Sequence, residues 1–195
     1  MAAIPAEEVL RVTWAEERNL WFVGLAGAEC SAGLWQSSDQ GAGWVGPGST
    51  ANAWYLDPDP LSPVLQAPNG PVSSPCGGAL TIDLEPTSFD EAFVLCGAGD
   101  VFRTTNAGAG WEAAGLAAGA AALGVVDGAP LVAVLGAGDC DGVAVGPPEG
   151  EARTCVEGAA GTEVSMSFAG PGAGFLIAAG TTYVSNDGGA TWRQV

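Results

Sequence analysis

The chain has 195 residues, with five arginines, no lysine, no histidine and 22 acidic residues, so its formal net charge is −17. A field of that sign repels phosphate backbones and anionic headgroups, which argues against nucleic acid and membrane surfaces as partners. Glycine and proline number 31 and 13, but seven tryptophans and six phenylalanines lie between them, a mixture typical of short strands joined by tight turns.

The predicted strands come in groups along the chain. The first group offers four strand-length pieces, beginning with "VLRVTW" and "LWFVGL". The second, "AWYLDPDPLSPVLQAPNGPVSSPCGG", contains three pieces and no clear fourth, and the remaining three groups each offer four pieces. We therefore predict five antiparallel sheet units within one domain, residues 1–195, with approximate boundaries at 8–48, 49–78, 79–117, 118–158 and 159–195.

A turn sequence recurs in three of these groups. Its template is Ser or Thr, any residue, Asp or Asn, any residue, Gly, two residues and Trp. A short side-chain acceptor can bind backbone NH groups two or so residues on, Gly supplies a positive φ, and the Trp can fold back on the preceding strand. The residues predicted to fasten these turns are Ser37, Asp39, Gly41, Trp44, Thr104, Asn106, Gly108, Trp111, Ser185, Asp187, Gly189 and Trp192.

The spacing of the turns reveals the units that lack them. Trp111 and Trp192 lie 81 residues apart, which is close to two units of about 40 residues. Trp44 and Trp111 lie only 67 apart, which leaves room for one normal unit and a short second one. A four-stranded unit of this size cannot bury both faces alone, but radial stacking of such units makes a propeller.

The recurring turn resembles the Asp-box of BNR-repeat propellers. Such repeats occur in sialidases, some glycoside hydrolases, sortilin-type receptors and photosystem II assembly factors of the Ycf48 type. The phrases "YLDPDPLSPVLQAPNG" and "DLEPTSFDEAFVLCGAGDVFRTTNAGAGW" are similar to the opening strands of such blades. The resemblance implies an all-β propeller of about five blades, the second incomplete. It also implies that the turn residues are structural, at the outer edge between third and fourth strands.

The sequence offers no convincing catalytic set. A sialidase-like site would need an arginine cluster, a tyrosine nucleophile and an adjacent acid or base. Arg103 and Arg193 adjoin the repeated turns and Tyr183 belongs to a predicted third strand, so no triad can be assembled. The other arginines are Arg11, Arg18 and Arg153. We therefore predict that the chain is not an enzyme and has no catalytic residues.

Pairs of acidic residues are the remaining candidates for chemistry. Two carboxylates about 5 to 10 Å apart would suffice for glycoside hydrolysis, but we expect these pairs to be solvated turn residues. With no histidine and no CxxC motif a zinc site is not expected; Asp139 and Asp141 are weak candidates for Ca²⁺. We predict no metal and no cofactor. The pairs are Asp57 and Asp59, Asp90 and Glu91, and Asp139 and Asp141.

Five cysteines leave at least one thiol free or paired outside the chain. The cysteines allow a disulfide, which would indicate an oxidising compartment, but the sequence does not assign a pairing. Glu7 and Glu8 stand where a secretory signal needs a basic region, and residues 113–126 are too short and too rich in Gly and Ala for a membrane helix. The location is therefore cytoplasmic, or extracellular or periplasmic if a signal has been removed.

The predicted function is a protein-interaction scaffold or an accessory subunit of a larger assembly. Only 14% of residues are charged, against about 25% in an average soluble domain. This scarcity fits either a surface that lies partly against another chain or a codon bias that favours Ala, Gly and Arg over Lys. We expect that contact at the incomplete second unit, around Trp54 and Tyr55. Because the sequence ends with a predicted fourth strand, we expect that no terminal strand crosses over. Either the five units close into a ring by side-chain packing, or they form an arc whose first and last sheets meet another chain.

The alternative function is a secreted carbohydrate-active protein, either a glycoside hydrolase or a lectin. It predicts exposed aromatic side chains beside a carboxylate, near Trp21, Trp54 or Phe89.

Overall fold

The computed structural model describes residues 3–16, 19–59, 61–150, 153–159, 161 and 163–195. All regular structure in these residues is β-strand, so this part of the chain contains no helix that could cross a membrane. The strands are β1 (Glu8–Glu16), β2 (Asn19–Ala26), β3 (Ser31–Ser37), β4 (Val45–Gly48), β5 (Tyr55–Leu56), β6 (Val64–Ala67), β7 (Gly70–Ser73), β8 (Thr81–Pro86), β9 (Ala92–Cys96), β10 (Asp100–Thr104), β11 (Glu112–Leu116), β12 (Ala120–Val126), β13 (Ala129–Leu135), β14 (Val143–Gly146), β15 (Thr154–Val156), β16 (Val164–Ala169), β17 (Ala173–Ala178), β18 (Thr181–Ser185) and β19 (Arg193–Gln194).

These strands form five sheets, each built from consecutive strands in an up-and-down order. Sheet 1 is β1 to β4, sheet 2 is β5 to β7, sheet 3 is β8 to β11, sheet 4 is β12 to β15 and sheet 5 is β16 to β19. Sheet 2 has three strands and the others have four. The fold is a five-bladed β-propeller in class, which confirms the predicted all-β architecture with an incomplete second blade.

The chain divides into two compact units, residues 1–72 and 73–195. In the first unit an aromatic group packs on one face of sheet 1. Phe22 and Trp35 are paired across β2 and β3 and stack with their ring centroids 4.9 Å apart. Trp44 meets Phe22 edge-on at 4.8 Å, so the tryptophan that ends the first repeated turn folds back over its own sheet.

In the second unit, sheet 4 is buried on both faces. Along β13, Val132 and Val134 join the core shared with sheet 3, whereas Ala133 between them joins the core shared with sheet 5. Side chains on a strand point alternately to opposite faces, so a strand covered on both sides must be apolar at every position. This explains the nearly continuous apolar sequence "PLVAVL" in β13.

The first strands of sheets 3, 4 and 5 lie side by side in the order β8, β12, β16. Asp83 joins two of them: its carboxylate accepts a hydrogen bond from the NH of Leu84 at 2.8 Å and from the NH of Leu123 at 2.9 Å. Asp83 lies at an irregularity in the ladder of β8 with β9. The Asp83 carboxylate thus provides a hydrogen-bond acceptor for the backbone NH of Leu123 in the neighbouring sheet.

Two disulfides cross-link the second unit, whereas the sequence had suggested one at most. Cys76 is bonded to Cys96 and Cys140 to Cys155, with Cα atoms 5.4 and 5.5 Å apart. The sequence did not show that Cys76, in the loop before β8, comes beside the buried β9. The fifth cysteine, Cys30, is free and exposed, so the prediction of an unpaired thiol is confirmed.

Candidate functional site

The three repeated turns, residues 37–44, 104–111 and 185–192, each join the third strand of a sheet to its fourth. Each begins at the last residue of β3, β10 or β18, and that residue is Ser or Thr. Its side chain is buried, with 4%, 1% and 2% of Ser37, Thr104 and Ser185 exposed. A buried hydroxyl must find hydrogen-bond partners, and the turn supplies them.

The hydroxyl accepts a hydrogen bond from the backbone NH of the turn glycine, four residues later. The distance is 2.8 Å from Gly41 to Ser37 and 2.8 Å from Gly189 to Ser185. In the second turn the NH of Gly108 donates to Thr104 at 3.0 Å. The three bonds are buried, so each satisfies a donor that has no access to water.

The Asp or Asn of each turn forms a second link. Ser37 donates its hydroxyl hydrogen to Oδ1 of Asp39 at 2.7 Å, and the same oxygen accepts the NH of Gly43 at 2.8 Å. In the second turn Oδ1 of Asn106 accepts from Thr104 and Gly110, both at 2.9 Å. An amide oxygen and a carboxylate oxygen fill the same acceptor position, which explains why Asn can replace Asp.

Two consecutive left-handed residues complete each turn. They are Gln40 and Gly41 in the first turn, Ala107 and Gly108 in the second, and Gly188 and Gly189 in the third. At the glycine φ is +82°, +82° and +88°. A left-handed conformation is unstrained only for glycine, which accounts for the fixed Gly of the template.

The turn tryptophans pack against the sheets. The indole NH of Trp192 donates to the carbonyl of Gly189 at 3.0 Å, and its ring meets Phe168 edge-on at 6.0 Å. Trp192 also borders the core between sheets 4 and 5. These contacts support a packing role, as does the contact of Trp44 with Phe22.

Hydrogen bonds lower the pKa of both turn aspartates below the ordinary value of 3.8. At Asp39 the largest cause is the Ser37 hydroxyl, followed by the NH of Gly43. At Asp187 the Thr191 side chain and NH dominate, ahead of the Ser185 hydroxyl. Both carboxylates are therefore held ionised, whereas a general acid for sugar chemistry needs a raised pKa.

Glu91 belongs to a charged contact beside the second turn. Its pKa is lowered, first by the Thr87 hydroxyl at 2.7 Å and then by Arg103, whose Nε donates to the carboxylate at 2.7 Å. The Arg103 guanidinium also lies 5.6 Å from the centroid of the Phe93 ring. Glu91 thus positions Arg103 over an aromatic side chain and is not arranged as a proton donor.

The other acidic pairs lie in loops. Oδ1 of Asp57 accepts the NH of Asp59 at 3.0 Å, and Oδ1 of Asp59 accepts the NH of Leu61 at 2.9 Å, which is the geometry of successive Asx turns. Asp139 and Asp141 are exposed on either side of Cys140. Across the described ranges no three His, Cys, Asp or Glu side chains come together in a group that could hold a metal ion.

The arginines are distributed over separate strands. Arg103 is in β10, Arg193 is in β19 and Arg11 is in β1. Arg18 lies outside the described residues.

The structure buries the residues on which a partner contact was predicted. Trp54 and Tyr55 are 5% and 8% exposed, and the Tyr55 hydroxyl donates to Thr50 at 3.4 Å. A partner at sheet 2 would instead meet neighbours such as Leu61, which is 77% exposed. Contact at this sheet stays a prediction.

Sequence reasoning missed an exposed apolar pair on sheet 5. Phe175 and Ile177 are 49% and 44% exposed, although both lie in a regular strand, β17. The signal was available in the alternation of β17, where Gly174, Leu176 and Ala178 are buried and the residues between them are not. The sequence alone could not show that these two side chains are exposed.

No protein-family model matches the chain, and no curated protein matches its sequence. Solved structures do share its fold. A structure titled "YCF48 bound to D1 peptide" matches with a TM-score of 0.51 at 15% identity, over 98% of this chain and 82% of the other. YCF48 from Cyanidioschyzon merolae matches with a TM-score of 0.46 at 14% identity, over 99% and 86%.

A GH74 xyloglucanase from Xanthomonas campestris matches with a TM-score of 0.38 at 16% identity, over 91% of this chain and 28% of that enzyme. At 15% identity and a TM-score of 0.51, the match to the peptide-bound YCF48 structure shows a shared fold and no more.

Proposed function

We propose that this chain is a non-enzymatic β-propeller that binds another protein, as a scaffold or as an accessory subunit of an assembly. The observation that carries the proposal is the exposure of large apolar side chains on regular strands of a surface poor in charge. Protein interfaces are depleted in charge at their centres and enriched in aromatic side chains. The exposed large apolar residues on strands include Val9, Val12, Trp21, Val45, Ile82, Leu116, Phe175 and Ile177.

The peptide-bound YCF48 structure supports the same class of function. In that structure YCF48, which is similar in fold to this chain, is bound to a D1 peptide. Binding of an extended segment needs no catalytic group, and three of the candidate acids have other contacts: Asp57 and Asp59 in turns and Glu91 in an ion pair. We propose a protein or peptide ligand of the same general kind, without assigning D1 to this chain.

We further propose that the three repeated turns are Asp-boxes and that each sheet corresponds to one blade, with blade boundaries near those predicted from the sequence. The hydroxyl, carboxamide or carboxylate, and glycine contacts supply the support for this identity. In this proposal the turns hold the outer strands in place and take no part in binding.

The carbohydrate-active alternative has weaker support. Of its three aromatic candidates, Trp54 is buried, while Trp21 and Phe89 are 43% and 45% exposed. The acid nearest to Phe89 in sequence with an assigned role is Glu91, which is held ionised beside Arg103. That carboxylate is therefore not a proton donor for a glycan beside Phe89.

We infer an oxidising compartment from the two disulfides. Structural disulfides persist mainly in secreted, periplasmic or lumenal proteins. Cys96 is 1% exposed and its bond to Cys76 lies within the packed second unit, which is the position of a structural cross-link. This favours the extracellular or periplasmic location over the cytoplasmic one.

The test is affinity capture of the tagged chain from its native source, with chemical cross-linking and mass spectrometry. We expect a protein partner in a fixed ratio, and no hits on a glycan array. A chain recovered alone, with a bound sugar or with hydrolysis of a polysaccharide, would contradict the proposal.

A further inference from the structure

The two disulfides of the second unit differ in how they are covered. Cys96 is 1% exposed in β9, whose five residues are all buried. Its partner Cys76 is half-buried, and the Thr81 hydroxyl donates to the Cys76 sulfur at 3.7 Å. In the other bond Cys140 is 8% exposed, but Cys155 is exposed. Among the four bonded cysteines, Cys155 is therefore the one that a reductant in solution can reach.

Cys155 also lies in a strand that has little support from its own sheet. The strand, β15, is three residues long and is the last strand of sheet 4, with β14 as its ladder partner. By contrast, β9 is bonded to a strand on each side. Segments with few contacts open locally at a lower free energy than central strands do, and exposed disulfides are more labile than buried ones. The Cys140–Cys155 bond thus has the position of a reducible bond.

The Cys140–Cys155 bond holds a strand that connects sheet 4 to sheet 5 within the second unit. Next to Cys155, the Thr154 hydroxyl donates to the carbonyl of Ala190, in the third repeated turn, at 3.1 Å. On the other side of Cys155, Val156 is 3% exposed and belongs to the core shared with sheet 5. Loss of the cross-link therefore weakens the hold on a segment that contacts the third repeated turn and this core.

We propose that the Cys140–Cys155 bond is a thiol–disulfide exchange site for a dithiol oxidoreductase, and that its reduction releases β15 from the third repeated turn. A thiolate of the dithiol attacks the Cys155 sulfur, the S–S bond breaks, and its electron pair leaves on the Cys140 sulfur, which takes up a proton. The second thiol of the dithiol loses its proton and attacks the mixed disulfide, and Cys155 leaves and is protonated. The two cysteines gain two electrons and two protons, and the dithiol becomes a disulfide. This device is separate from the proposed protein-binding function, and neither depends on the other.

Charge indicates which dithiol proteins can reach the bond. Asp139 and Asp141 are exposed on either side of Cys140, and Glu157 is exposed two residues after Cys155. The whole chain has a net charge of −17. A field of this sign repels an anionic thiol and attracts a cationic one. We therefore expect the oxidoreductase to present a neutral or basic surface around its reactive cysteine.

The first test compares the two bonds within one molecule. The oxidised full chain carries Cys30→Ser, so that every released thiol comes from a disulfide. Dithiothreitol is the dithiol probe, N-ethylmaleimide traps the thiols over time, and mass spectrometry quantifies the modified peptides. We expect Cys140 and Cys155 to be released at least about tenfold faster than Cys76 and Cys96 in the native chain. The difference should disappear in guanidinium chloride, where both bonds are equally accessible.

Hydrogen exchange on the selectively reduced chain tests the structural consequence. In the oxidised chain we expect the amides of both β15 and β9 to be protected. After reduction of the Cys140–Cys155 bond, the amides of β15 and of residues 189–191 should exchange at least about tenfold faster than those of β9. The second repeated turn is the internal control, since its buried hydrogen bond matches that of the third turn, and it should stay protected.

Two small thiols test the effect of charge. Cysteamine is cationic and glutathione is anionic, so the ratio of their rates of reduction reports the local field. We expect this ratio to fall at least about threefold in the double variant Asp139→Asn and Asp141→Asn. Asp127→Asn is the matched control, since Asp127 lies in the turn between β12 and β13 of the same sheet, and it should leave the ratio unchanged.

Each part of the inference has a result that would overturn it. Equal release of the two cysteine pairs in the native chain, or earlier release of Cys76 and Cys96, would show that Cys140–Cys155 is not an exchange site. Equal protection of β15 and β9 after reduction would show that the strand is not released. An unchanged rate ratio in the double aspartate variant would rule out the expected charge of the oxidoreductase.

Discussion

At the scale of single residues, the buried turn hydroxyls carry the largest consequence. Each accepts the NH of the turn glycine and donates to the Asp or Asn two residues later. Loss of the hydroxyl leaves a buried backbone donor without a partner, and such a donor costs about 1 to 3 kcal/mol. The side chain itself is small, so little packing changes with it.

We therefore expect Ser37→Ala, Thr104→Val and Ser185→Ala each to lower the free energy of unfolding by about 1 to 3 kcal/mol. Chemical denaturation monitored by tryptophan fluorescence measures the change. Thr104→Ser keeps the hydroxyl and should restore most of the loss, and the exposed neighbour Ser38→Ala should have no effect. Equal stability of Thr104→Val and Thr104→Ser would show that the hydroxyl is not the fastening group.

The two turn aspartates should make the stability of the fold depend on pH in the acidic range. The folded-state pKa of Asp39 and Asp187 lies below the ordinary value of 3.8, so their contribution to stability is present above that value and is lost as pH falls through the folded-state pKa. Asn106 fills the same place and does not titrate.

Asp39→Asn and Asp187→Asn should consequently reduce the fall in melting temperature on acidification below pH 3.8, while Asn106→Asp should steepen it. Thermal melts over a pH series provide the measurement. The same acid dependence in all three variants and in the wild-type chain would contradict this assignment.

At the scale of elements, the three repeated turns differ in backbone strain. Gln40 and Ala107 hold a left-handed conformation, with φ of +60° and +54°, where the third turn has Gly188. In this region a residue with a side chain is destabilised by about 1 to 2 kcal/mol of strain. Glycine avoids that strain but costs about 0.5 to 1 kcal/mol through its greater loss of backbone entropy on folding. The first turn is thus a place where the native sequence is not the most stable one.

Gln40→Gly should raise the free energy of unfolding by about 0.5 kcal/mol, because it removes the left-handed strain of an exposed residue. Gly188→Ala should lower it by about 1 to 2 kcal/mol, since its added Cβ would also lie 3.0 Å from the Pro171 carbonyl oxygen. Denaturant midpoints of the two variants test the pair. Changes of the same sign in both would refute the conformational explanation.

The elements also show what the sequence could predict. The Ser, Asp and Gly spacing indicates the turn because its hydrogen bonds are local, spanning two or four residues. The short second sheet follows from the distance between tryptophans. By contrast, the burial of Trp54 and the bond of Cys76 to Cys96 depend on packing between distant parts of the chain. Local spacing carries no information about which face of a sheet will be covered.

At the scale of the whole molecule, stability depends on cross-links as well as on packing. The disulfides close loops with sequence separations of 20 and 15 residues. In the chain-entropy model a loop of this size contributes about 3 kcal/mol by restricting the unfolded chain. Both bonds lie in the unit of residues 73–195.

Replacement of Cys140 and Cys155 by Ala should therefore lower the free energy of unfolding by about 3 kcal/mol. In this variant a reductant has no bond to break at these two positions. Cys30→Ser is the control, since Cys30 forms no disulfide, and should leave the denaturation midpoint unchanged. Oxidised and reduced samples compared by denaturant titration give the values. An unchanged denaturation midpoint in the double variant would show that this disulfide does not contribute to stability.

The free thiol of Cys30 has a practical consequence. It lies exposed in the turn between β2 and β3 while the other four cysteines are bonded in pairs. A maleimide dye will consequently attach at one position of the unmodified chain under non-reducing conditions. The chain can therefore be labelled at a single site for diffusion or energy-transfer experiments without an engineered cysteine.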